Sequence, residues 1–169
     1  MESTEKAHAK VFGAEWMTHE VEVVGLVNHP LKLTVGDLSS MPQTEVNNVG
    51  LICGSGRYDG VVKSYRGVRL TAVLERADVI VRRHGVANSI FVTLASSDGR
   101  LALFSYQELF NTAVGEQAIV ILERDGRPLD EKEGEIAFVS ANDLRPGPRR
   151  LRYLQKIEVH EHSIGESRE

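Results

Sequence analysis

Short apolar runs, each closed by a turn signal, follow one another along this chain from Glu20 to Glu161, and no helical pattern between them lasts more than a few turns. A chain patterned this way cannot build a bundle of long helices, and it lacks the long helical crossovers that a doubly wound parallel sheet requires. Valine-rich Glu20–Val27 reads as a strand, Asn28-His29-Pro30 as a turn, and alternating Leu31–Val35 as the returning strand of a hairpin. Asp37–Pro42 reads as one helical turn stopped by proline. Val46–Cys53 reads as a strand running into a glycine loop. Leu70, Val73, Leu74 and Ala77 share one face of a short helix. Ile90–Ala95, Ser97-Asp98-Gly99 and Leu101–Phe104 form a second hairpin, and Ser105 with Glu108 predicts a capping box. Ala118–Glu123, Glu135–Ser140 and Tyr153–Glu161 complete the strands, and Asn142–Arg152 reads as a loop. The expected fold class is α+β, a mixed, mostly antiparallel sheet with short peripheral helices.

The length of 169 residues predicts one domain, over residues 20–161, between a loose N-terminal segment, 1–19, and a C-terminal tail, 162–169. A net charge of −4 argues against a general nucleic-acid binder. No apolar stretch has the length of a membrane span. The single cysteine rules out an intramolecular disulfide. Met1–Lys6 is polar and lacks a signal-peptide core, which predicts a cytoplasmic location, or a periplasmic one if an export signal has been removed.

That cysteine, Cys53, ends an apolar run in Leu51-Ile52-Cys53-Gly54-Ser55-Gly56-Arg57-Tyr58. Glycines let a backbone approach a ligand closely, and a cation near a thiol favours the metal-binding thiolate. The same residues fit a buried thiol beside an ordinary glycine turn. Arg145, Arg149, Arg150 and Arg152 form a dense basic loop, suited to phosphate or to plain solvation. His160 and His162 fall on one side of the last strand without an evident third metal ligand, and His84 reads as a loop residue. No phosphate-loop or dinucleotide fingerprint is present, and Cys53 lacks a nucleophile signature.

Val23–Val27, Pro30–Val35, Asp37-Leu38 and Met41-Pro42 together resemble the entry to the sulfite oxidase-type molybdopterin-binding domain. Tyr65-Arg66-Gly67-Val68-Arg69-Leu70 resembles that family's aromatic-x-Gly-Val-x-Leu step into a helix. Ser97-Asp98-Gly99 and Asp125-Gly126-Arg127-Pro128-Leu129 resemble two of its turns, and Arg152–Val159 its closing Lys-Trp-Leu-x-x-Ile-Glu-Val strand. The resemblance spans about Glu20 to His160. It implies a short stand-alone oxidoreductase domain that binds molybdopterin, the molybdenum cofactor, with Cys53 as the molybdenum ligand. The implied cofactor-binding residues are Cys53, Gly54, Ser55, Arg57, Tyr58, Arg149, Arg150 and Arg152, with Tyr58 or Tyr153 stacking on the pterin face. The chain departs from the family pattern at Tyr65, where tryptophan is usual, at Gln117, where aspartate is common, and at Arg152-Tyr153 in place of Lys-Trp. The family's long segment before the first strand, with its phosphate-holding Asn-His element, has no match in the twenty or so residues ahead of Val21, and its following dimerisation domain is absent from the sequence.

Two functions follow as expectations. One is an oxidoreductase that passes electrons to a redox partner. The other is a molybdenum-free module that binds a reduced pterin and reports it to a signalling partner.

Overall fold

The computed structural model describes residues 13–82 and 86–163. His84 and the segment 164–169 lie outside the described residues. The strands form two five-stranded sheets. The first runs β2 (Leu31–Thr34), β1 (Glu20–Gly25), β10 (Leu154–Glu161), β5 (Ile90–Ser96), β6 (Leu101–Ser105). Within it only β1 and β10 are parallel, with Val23 opposite Ile157. The second runs β3 (Thr44–Ile52), β4 (Tyr58–Arg69), β7 (Ala118–Arg124), β8 (Arg127–Pro128), with β9 (Ala137–Ser140) also on β7, all antiparallel. The mixed, mostly antiparallel architecture with short helices therefore holds.

The helices are α1 (Val35–Ser39), α2 (Leu70–Ala77), α3 (Tyr106–Asn111) and α4 (Ala113–Glu116). Thr34 and Asp37 close a capping box on α1, and Ser105 and Glu108 close the one expected on α3. Such caps contribute about 1 kcal/mol each. Helix α2 turns Leu70, Val73, Leu74 and Ala77 into the core and stops at Asp78, whose backbone is left-handed with φ 59°. A single negative residue there satisfies the last carbonyls through its N–H.

Alternation places Val21 and Val23 of β1, Val92 and Leu94 of β5, and Ile157 and Val159 of β10 against α2 and against Val120 and Phe138 of the second sheet. A second cluster, with Val46, Val62, Tyr65, Ile119, Ile121 and Val139, covers the other face of β7. Ala118–Leu122 is buried at every position for this reason, which is why β7 reads as a continuous apolar run.

The strand β4 is absent from the sequence reading, since Asp59, Gly60, Lys63, Ser64 and Arg66 blur its alternation. Gly67 permits its close approach to β7: a Cβ there would sit 1.8 Å from the Val120 carbonyl oxygen. Against the expectation of a loose segment over 1–19, residues 13–19 are tied to the domain. Ser97 Oγ donates to the Trp16 carbonyl, and Thr18 Oγ1 donates to the Leu154 carbonyl at 2.6 Å. Among the described residues no helix is long and apolar enough to cross a membrane.

Candidate functional site

Strand β3 ends at Ile52 and delivers Cys53 to a tight turn. Cys53 N–H donates to the Arg57 carbonyl at 2.9 Å, and Gly56 N–H donates back to the Cys53 carbonyl at 2.8 Å. The thiol is half-buried, with Sγ 2.8 Å from Ser55 Oγ. The Ser55 hydroxyl is the main force lowering the Cys53 pKa, followed by the backbone N–H groups of Ser55 and Arg57 and the Arg57 charge. Hydrogen bonds and a cation favour the thiolate in this way because they stabilise only the charged form.

The loop from Ala141 to Tyr153 packs directly on this turn. Gly147 N–H donates to the Ile52 carbonyl at 3.0 Å, and a Cβ on Gly147 would come within 2.6 Å of the same oxygen. Arg145 Nη1 donates to the Gly54 carbonyl. The two loops thus enclose a cavity of about 570 Å³. Its wall holds Cys53 and Gly54, five arginines (Arg57, Arg100, Arg124, Arg150 and Arg152) and one carboxylate, Asp59. Leu51, Leu101, Pro148 and Leu151 supply apolar surface. In a chain with net charge −4, this concentration of guanidinium groups selects an anionic ligand. A second cavity of about 610 Å³ adjoins the first, sharing Arg124, Arg150 and Arg152.

The residues implied by the resemblance divide between these surroundings. Cys53, Gly54, Arg57, Arg150 and Arg152 line the cavity together. Arg57 also pairs with Asp59, Nε to Oδ1 at 2.9 Å. Ser55 acts through the Cys53 sulfur. Tyr58 opens β4, is 62% exposed and lines neither cavity. Arg149 points elsewhere: it pairs with Asp143 at 2.6 Å and Glu108 at 3.1 Å, and lies 4.0 Å over the Phe104 ring. Its role is to pin the loop to α3 and β6. Tyr153 is fully buried with its hydroxyl donated to the Glu131 carbonyl at 2.7 Å, so its ring is not offered to a ligand. His160 stacks on Phe91 at 4.8 Å and lies 2.9 Å from Thr93 Oγ1.

Arg100, Arg124 and Glu133 are missed by the sequence reading. Arg100 directly follows the Ser97–Gly99 turn, and Arg124 directly precedes the Asp125–Leu129 turn. Those turns were the available signals. Glu133, almost fully buried, accepts hydrogen bonds from Arg124, Arg150 and Tyr65. Nothing in its sequence neighbourhood distinguishes it from Glu131 or Glu135.

A molybdenum-bearing pterin phosphate fits this donor set. It would present a metal that accepts thiolate ligands to a thiol biased toward thiolate, and negative oxygens to a wall of guanidinium groups. Arg150, which lines the cavity, also holds a buried Nε with no hydrogen-bond partner within the protein.

Comparison with known proteins bears on the same point. No curated protein matches the chain. The fold is similar to that of the sulfane dehydrogenase SoxCD from Paracoccus pantotrophus, with TM-score 0.63 and 15% identity over 85% of this chain. The matched part is 38% of that chain's length. The family model for the oxidoreductase molybdopterin-binding domain matches residues 8–165. With nearly the whole chain matched, this protein belongs to the oxidoreductase molybdopterin-binding domain family.

Proposed function

We propose that this chain is a molybdenum cofactor-dependent oxidoreductase domain in which Cys53 ligates the metal. The observation that carries the reading is a thiol biased toward thiolate at the wall of a cavity lined by five arginines. When bound, the cofactor supplies two-electron redox chemistry, and the protein binds and orients it.

Cys53 would offer its sulfur to the metal, and Ser55 would hold that sulfur unprotonated by donating to it. A Cβ on Gly54 would meet Pro148 Cγ at 3.6 Å and one on Gly56 would meet Arg145 Nη2 at 3.6 Å, so the glycines let the two loops pack closely. Arg124, Arg150 and Arg152 would neutralise a phosphate, because guanidinium donors match its oxygens. Arg57 and Arg100, which line the first cavity and not the second, would remain for an anionic substrate. Arg145 and Gly147 hold the two loops together and so keep the thiol facing the cavity. Electrons leaving the site would pass to a redox partner.

The test is molybdenum content after expression in a host that makes the cofactor. Wild-type protein is expected to carry molybdenum, and Cys53→Ser to lose most of it while keeping its fold. Equal molybdenum in both proteins would remove Cys53 from the metal. A wild-type protein that takes up a reduced, unphosphorylated pterin and no metal would establish the metal-free module instead.

A further inference from the structure

We infer that Glu133 is the positioning residue of the cleft: its buried carboxylate holds Arg124 and Arg150 as a paired clamp for a dianionic group. The inference rests on the reading of the cleft as an anion-binding cofactor site. Glu133 Oε1 accepts from Arg124 Nη1 at 2.7 Å, and Oε2 accepts from Arg150 Nη2 at 2.8 Å. Its side chain is 5% exposed, behind Arg150 at 12% and Arg124 at 41%. Each arginine commits one terminal nitrogen to Glu133 and keeps further N–H donors. Both line the two adjoining cavities, so the clamp stands at their junction.

Two features fix Glu133, one at its carboxylate and one at its backbone. The Tyr65 hydroxyl donates to Oε2 at 3.2 Å, and burial pushes the Tyr65 pKa up, so it remains a donor. The Tyr153 N–H donates to the Glu133 carbonyl at 3.0 Å and ties the residue to the start of β10. Like charges crowd the cleft, where burial and then the Arg150 charge lower the Arg152 pKa. A carboxylate bridging two of those cations lets them stay close without repulsion, at geometry a phosphate can then use.

A charge-neutralising role and a positioning role predict opposite signs. Glu133→Gln adds one unit of net positive charge to the cleft. Mere neutralisation would then leave binding of inorganic phosphate unchanged or tighter. Positioning predicts binding about tenfold weaker by calorimetry, in full-length protein from a host that cannot make the cofactor. Arg124→Lys keeps the charge and loses the fork, and the expectation is about fivefold weaker binding. This variant decides the matter if Glu133→Gln does not fold. Glu22→Gln changes charge equally on the β1–β2 hairpin, outside the cleft, and is expected to leave phosphate binding unaltered. Phosphate binding that is unchanged or tighter in Glu133→Gln, or unchanged in Arg124→Lys, overturns the clamp and leaves the cleft reading standing. Wild-type protein that binds no phosphate overturns both.

Discussion

At the residue scale the site depends on small donors acting on one sulfur. The Ser55 hydroxyl is the largest influence lowering the Cys53 pKa, ahead of the Arg57 charge. Ser55→Ala should therefore move the thiol back toward its ordinary range. The pH at which Cys53 alkylation reaches half its maximal rate is expected to rise in that variant. An unshifted profile would mean that Arg57 and the backbone suffice. The motif around Cys53 was legible because the chain's one cysteine stands at the end of an apolar run beside two glycines and an arginine. The partners of each arginine were not legible, because Arg149 and Arg150 are adjacent in sequence and point to different networks. One pins the loop to Asp143 and Glu108, and the other meets Glu133 at the cavity.

Elements were the most readable level, because each depends on local chemistry. The Ser105–Glu108 box and the Leu70–Ala77 helix lie where spacing places them. The box on α1 carries a pH dependence. Backbone and side-chain donation from Thr34 lower the Asp37 pKa, with a smaller contribution from Arg76. A carboxylate depressed in the folded state adds stability above its unfolded pKa and loses it as pH falls through its folded pKa. Asp37→Asn should be less stable than wild type at neutral pH, and the two urea midpoints should converge in acid below the carboxylate range. A gap that persists there would assign the effect to shape instead of charge. Strand β4 escaped notice because its polar positions face solvent or partners on an irregular rhythm, and Gly67 marks a contact with β7 that only the folded sheet supplies.

The whole molecule brings a basic cleft into an acidic chain. Charges spread along the sequence at Arg57, Arg100, Arg124 and Arg150 converge because the ends of β3 and β7 and two loops meet at one place. Phosphate binding should accordingly weaken as salt is raised from about 0.01 M to above 0.1 M, where the screening length falls from about 30 Å to about 10 Å. Binding indifferent to salt would show that the cleft charge is already compensated. Fold class, helix α2, the Ser105–Glu108 cap and the cysteine loop followed from the sequence alone, since short-range periodicity, turn chemistry and capping are encoded within a few residues, whereas the helical turn read at Asp37–Pro42 lies at Val35–Ser39 because Thr34 is its cap. The division of the strands into two sheets, the parallel pairing of β1 with β10, and the gathering of five arginines and one thiol on the wall of one cavity depend on contacts between residues far apart in the chain. Glu133 is the clearest case: its neighbours in sequence are ordinary surface charges, and only the packing of Tyr65, Arg124 and Arg150 around it makes its carboxylate the hub of the cleft.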